Sequence, residues 1–127
     1  MPPRQKKTKL SPEVLLARRL KSGLSQKDFW NKYGATQSAG SRYENGEKLP
    51  KPLEALLLWK GTEEFDFKEI STKKIKDLRK KLGLDQYTFW KEVKVTQSGG
   101  SRYESGRRIP KPTRALIRLM YGEWAKL

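Results

Sequence analysis

Cysteine and histidine are both absent from the 127 residues. Their absence excludes disulfides, thiol nucleophiles, imidazole bases and Cys/His zinc sites. No carboxylate pair or activated nucleophile stands out in what remains, so an enzyme is the least favoured class, and neither a cofactor nor a small-molecule ligand is expected. Long apolar runs are missing too. None approaches the ~20 residues that span a bilayer, and Met1 to Leu10 carries no hydrophobic stretch behind its charges, so neither a membrane span nor a secretory signal is expected. Acidic residues are scarce: 14 Asp plus Glu stand against 29 Lys plus Arg, for a net charge of +15. Such an excess points to a polyanionic partner, nucleic acid ahead of an anionic membrane surface.

The dominant feature present is an internal repeat. TQSAGSRYENG from Thr36 recurs as TQSGGSRYESG from Thr96, and Phe29-Trp30 recurs as Phe89-Trp90. At this offset of 60, 22 of the 51 gapless pairs between Ser11–Gly61 and Ser71–Tyr121 are identical. Two units, too few and too long for a solenoid, read as a small domain present twice. The expected organisation is a basic flexible tail (1–10), a first domain (11–60), an acidic linker (61–70) and a second domain (71–127). The linker GTEEFDFKEI is the one acidic stretch, and it reads as a spacer whose Phe65 and Phe67 dock on a neighbouring domain. Its ten residues reach at most about 33–36 Å, enough for two domains to meet successive major-groove faces about 34 Å apart.

Within each copy the signals are helical. Ser11 ahead of Pro12 and Glu13 marks a first helix ending near Gly23, and Ser71 opens its counterpart, with Ile75, Leu78 and Leu82 at helical spacing. Ser25 (Asp85) caps a second helix and Thr36 (Thr96) a third, which stops at Gly46 (Gly106). Pro52 (Pro112) opens a fourth. The expected fold class is therefore all-α, with four to five helices per copy.

At about 100° per residue, Gln37, Ser38, Ser41 and Arg42 share one face of the third helix, and Gly40, Tyr43 and Glu44 share another. Amide, hydroxyl and guanidinium are the groups that read base edges and phosphates in the major groove. Gln97, Ser98, Ser101 and Arg102 repeat this face unchanged, although the copies differ at more than half their positions. With Thr36 and Thr96 at the helix starts, these are the candidate DNA-contacting residues. After the third helix the first copy carries Glu47 and Lys48 but the second carries Arg107 and Arg108, so the second loop is expected to grip phosphates better.

Only Tyr33, Gly34 and Ala35, or Val93, Lys94 and Val95, separate the second helix from the third, and two helices joined by so short a turn form a helix-turn-helix. LSQKDFWNKYGATQSAGSRYENG and LDQYTFWKEVKVTQSGGSRYESG closely resemble the DNA-binding family of Cro and the lambdoid phage repressors, the Xre type. The resemblance implies two tandem lambda-repressor-like domains. It implies that Gln26 and Gln86 bind a phosphate and brace the recognition helix. Gln37 and Gln97 would bridge adenine, and Arg42 and Arg102 would grip guanine or a phosphate. By the same register Arg19 would pair with Glu44 and Arg79 with Glu104.

Two departures from the family pattern are informative. Trp30 and Trp90 stand where a small Ala is usual, and Gly40 and Gly100 where a β-branched residue is usual, so each indole is expected to fill the volume its glycine vacates. Lys94 stands in the turn where the first copy has Gly34, and a left-handed residue there strains a lysine.

These features together imply a sequence-specific double-stranded DNA-binding regulator, most simply a cytoplasmic, nucleoid-associated repressor. A homodimer with four reading helices is compatible with this. The rival is that one repeat binds DNA while the other is a protein-interaction module, antitoxin-like or polymerase-contacting.

Overall fold

The computed structural model describes residues 10–60 and 64–125. The expected basic tail lies outside the described residues except for Leu10, as do residues 61–63 of the linker. Eight helices are described: α1 (Pro12–Ser22), α2 (Gln26–Lys32), α3 (Gln37–Glu44), α4 (Lys51–Leu57), α5 (Thr72–Leu82), α6 (Gln86–Glu92), α7 (Gln97–Glu104) and α8 (Lys111–Ala125). None of them is long and apolar enough to cross a membrane.

The start of each of the first three helices in both repeats is set by a capping side chain three residues ahead of the amide it satisfies. Ser11 accepts from the Val14 amide, Ser25 from Asp28 and Thr36 from Ala39. Ser71, Asp85 and Thr96 do the same for Lys74, Thr88 and Gly99. Each cap satisfies an amide that has no partner within the helix, worth about 1 kcal/mol. Gly46 and Gly106, with φ of 108° and 115°, lie just past α3 and α7.

The chain divides into two compact units between Pro50 and Lys51. In the first, α1, α2 and α3 enclose an aromatic core. Phe29 meets Trp30 edge-on at 5.3 Å, and Trp30 lies 5.5 Å from Tyr43. From α1 only Leu15 is fully buried, and Leu16 and Leu20 are exposed where α5 has Lys76 and Lys80.

The second unit begins with α4, which the repeat pattern groups with the first copy. α4 packs on α8, and its Leu53, Leu56 and Leu57 are buried. The core of this unit is drawn from Ile75, Leu78, Phe89, Trp90, Val93, Leu116 and Ile117.

Residues 64–70, expected as a spacer, also belong to this unit and are held to α8 through their backbone. The buried Arg114 donates from Nη1 to the Phe67 carbonyl (2.6 Å) and from Nε to the Ile109 carbonyl (2.8 Å). Arg118 donates to the carbonyls of Asp66, Lys68 and Glu69. The rings of Phe65 and Phe67 are half-buried and lie against each other at 6.3 Å. Guanidinium groups bonded to main-chain oxygens, with Arg118 Nε also 3.6 Å from the Asp66 carboxylate, thus fasten the acidic stretch.

Candidate nucleic-acid interface

The last residue of α3, Glu44, fixes how that helix is presented. Its carboxylate accepts four hydrogen bonds: from Arg19 Nε (2.8 Å) and Nη2 (3.0 Å), from Gln26 Nε2 (3.0 Å) and from Trp30 Nε1 (2.9 Å). Glu104 repeats the set with Arg79 Nε (2.9 Å) and Nη2 (3.0 Å), Gln86 Nε2 (3.2 Å) and Trp90 Nε1 (2.7 Å). The expected Arg–Glu pairs are therefore present, and Gln and Trp complete each of them. One carboxylate in each unit ties the end of the third helix to the first and second, which leaves that helix little freedom to roll.

The electrostatics follow from this geometry. Arg19 holds the Glu44 carboxyl below its usual range against the opposing effect of burial, with Trp30 and Gln26 assisting. At Glu104 burial is the largest influence and pushes the carboxyl up, but the donors Arg79, Trp90 and Gln86 together outweigh it and the net direction is down.

The indoles also explain the glycines. A Cβ on Gly40 would sit 2.1 Å from Trp30 Cδ1, and one on Gly100 would sit 2.2 Å from Trp90 Cδ1. Each ring lies flush on the third-helix backbone, so the large residue of α2 occupies the space the helix leaves empty. The distances accord with the volume exchange expected from the two departures. The turn behaves as expected as well: Gly34 has φ of 85°, and Lys94 takes the same left-handed conformation at 67°.

With the brace in place, the polar face points outward. Gln37, Ser38 and Arg42 are exposed and Ser41 half-buried, while Gln97, Ser98, Ser101 and Arg102 are all exposed. Gln26 and Gln86, at the start of α2 and α6, are half-buried with their amide nitrogens committed to the glutamates. The Gln26 amide oxygen accepts from Gln37 Nε2 at 3.3 Å, so brace and polar face touch. Thr36 and Thr96 accept an amide proton as caps, which leaves each exposed hydroxyl its own proton to donate.

The two copies differ in how their cations are held. Arg42 Nε lies 3.2 Å from the Glu47 carboxylate. At the matching position of the second copy stands Arg107, which makes no ion pair among the described residues. Arg108 pairs with Glu69 at 2.7 Å, but both side chains are more than half exposed. Such a pair contributes about 1 kcal/mol at most and yields readily to a phosphate.

A groove at the start of α7 brings in Lys51, Tyr87 and Lys91, which the sequence did not single out, together with Lys94. Comparing the copies marks Lys91 and Lys94, which replace Asn31 and Gly34. Nothing local marks Lys51, which belongs to the other repeat.

Among known proteins, the family model described as the RsaL-like HTH domain matches residues 16–58 and again residues 76–120. No curated protein and no solved structure matches the chain.

Proposed function

The chain belongs to the RsaL-like HTH domain family through both of its repeats, and on that premise we propose that it is a sequence-specific double-stranded DNA-binding transcriptional regulator. It lays α3 and α7 into the major groove and acts as a repressor by occupying a promoter. The kinship with Cro and the lambdoid repressors, and a nucleoid-associated place in the cytoplasm, belong to the same proposal.

The observation that carries it is the duplicated Gln-Ser-Ser-Arg face, turned outward from a helix that an identical carboxylate network braces in each unit. In this reading Gln37 and Gln97 bridge adenine N6 and N7, while Arg42 and Arg102 grip guanine or a phosphate. Gln26 and Gln86 act through the brace, and Arg107 and Arg108 anchor the strand beside the second helix. If about eight phosphates are neutralised, log K falls against log salt with a slope of about −7.

The second reading keeps the first repeat for a protein partner, and the Arg42–Glu47 pair favours it because Glu47 competes with DNA for that guanidinium. The test is a selected duplex titrated with two variants, Gln37→Ala with Arg42→Ala and Gln97→Ala with Arg102→Ala. Two readers predict a loss of affinity of at least tenfold for each pair, since one good bidentate contact is worth about 1–3 kcal/mol. A silent first pair with a sensitive second pair assigns the first repeat to protein interaction. Binding unaffected by either pair overturns the proposal.

A further inference from the structure

The groove beside the start of α7 is lined by Lys51, Tyr87, Lys91, Lys94, Val95, Thr96 and Gln97, and among the described residues no carboxylate lines it. We infer that it is a phosphodiester clamp: Lys51, Lys91 and Lys94 hold the backbone of the DNA strand next to the base that Gln97 reads. The inference rests on the proposed DNA-binding function and adds a backbone subsite to it.

Three lysines line one depression whose lining includes no acidic residue among the described residues. Lys51 and Lys94 make no ion pair among the described residues. The Lys91 ammonium sits 5.5 Å over the ring centroid of Tyr87, an interaction that positions a cation while leaving its charge in place. Thr96 and Gln97 line the same groove. An anion held there lies against the very residue that faces the bases, and in a duplex the anion beside a base edge is the phosphodiester.

Lys94 supplies the second argument. Its left-handed backbone, φ 67°, is the conformation that Gly34 adopts without strain in the first repeat. For a side chain other than glycine that conformation costs about 1 kcal/mol or more. The fold alone is better served by glycine, yet the second repeat places a lysine there, and that lysine lines the groove.

The third argument is the asymmetry between the copies. Tyr87, Lys91 and Lys94 stand where the first repeat has Lys27, Asn31 and Gly34. The second repeat has moved its cations to the turn side of its recognition helix, and Arg107, which has no ion pair among the described residues, lies in the loop that follows the same helix. The clamp therefore makes the second repeat the anchor of the complex.

The experiment uses the full chain with Lys94→Gly, with Lys94→Gly plus Lys91→Gln, and with Lys76→Gln as a control on an exposed lysine outside the groove. Affinity for a selected duplex and for a random duplex is titrated over a range of salt, and each melting temperature is measured. The clamp predicts that Lys94→Gly melts higher than the parent yet binds both duplexes several-fold more weakly. It also predicts that the magnitude of the salt slope drops by about 0.9 for each groove lysine removed, and by less for Lys76→Gln. Groove variants that keep the parent's affinity and slope, while the parent slope stays steep, overturn the clamp alone. A loss confined to the selected duplex also overturns it, by assigning base reading to these lysines. A parent protein whose affinity does not depend on salt overturns the DNA-binding function itself.

Discussion

Glu104→Ala is expected to destabilise the second unit by about 3–5 kcal/mol, the range found when one partner of a buried ion pair is removed. Glu104 is only 4% exposed, and its loss strands the Arg79 guanidinium, the Gln86 amide and the Trp90 indole N–H together. Each uncharged donor left unpaired in the interior adds about 1–3 kcal/mol if no water reaches it. At about 0.05–0.15 kcal/mol per residue, a unit of this size holds only several kcal/mol in total. Urea unfolding of the variant should therefore show the second unit largely unfolded in buffer. Wild-type-like unfolding of Glu104→Ala would mean that the network is peripheral.

The same carboxylates set the acid limit. Glu44 and Glu104 both titrate below their ordinary values in the folded chain. A lowered folded value means that their contribution is complete above the ordinary carboxylate range, near 4.3, and is lost as pH falls through the folded value. Thermal melts should hold steady down to about pH 5 and fall below it. Glu104→Gln, which cannot ionise, should start from a lower stability and fall less steeply.

Gly100→Val is expected to destabilise the second unit by about 3 kcal/mol, at the upper end of overpacking effects. The new Cβ alone would approach Trp90 Cδ1 to 2.2 Å. Trp90 is fully buried and held by its 2.7 Å hydrogen bond to Glu104, so it cannot retreat without breaking the brace. Removing a helical glycine returns only a fraction of 1 kcal/mol, too little to offset the clash. The check is a double-mutant cycle with Trp90→Leu. If indole and glycine share one volume, the two changes together cost clearly less than their sum. A neutral Gly100→Val, or strict additivity, would break the link between the two residues.

The parts of this molecule legible in its residues are those decided over short stretches of chain. A cap acts on an amide three residues away, so Ser11, Ser25, Thr36, Ser71, Asp85 and Thr96 announce their helices without reference to anything distant. A helical period of about 3.6 residues is enough to gather Gln97, Ser98, Ser101 and Arg102 on one face, and the duplication shows that the face was kept while its surroundings changed. Lys94 was legible as a strained turn because Gly34 shows what conformation the position takes. The net charge of +15 made a polyanion the partner to consider.

Tertiary structure decided the rest, because those features depend on where distant segments meet. Trp90 and Glu104 are 14 residues apart and Arg79 and Glu104 are 25 apart, and only the packed helices bring indole, guanidinium and amide onto one carboxylate. The affinity of α4 for α8 divides the chain ahead of α4, where the repeat alone divides it after. The acidic stretch could be recognised by composition, but its attachment to Arg114 and Arg118 runs mainly through backbone carbonyls, which every residue has and no sequence distinguishes. Lys51 joins the groove of a repeat to which it does not belong. Sequence thus determined the helices, their caps and the outward polar face, through interactions that reach a turn or two along the chain. The fold determined how that face is braced and which lysines lie beside it, because ion pairs and grooves form between side chains close in space, whatever their separation along the chain.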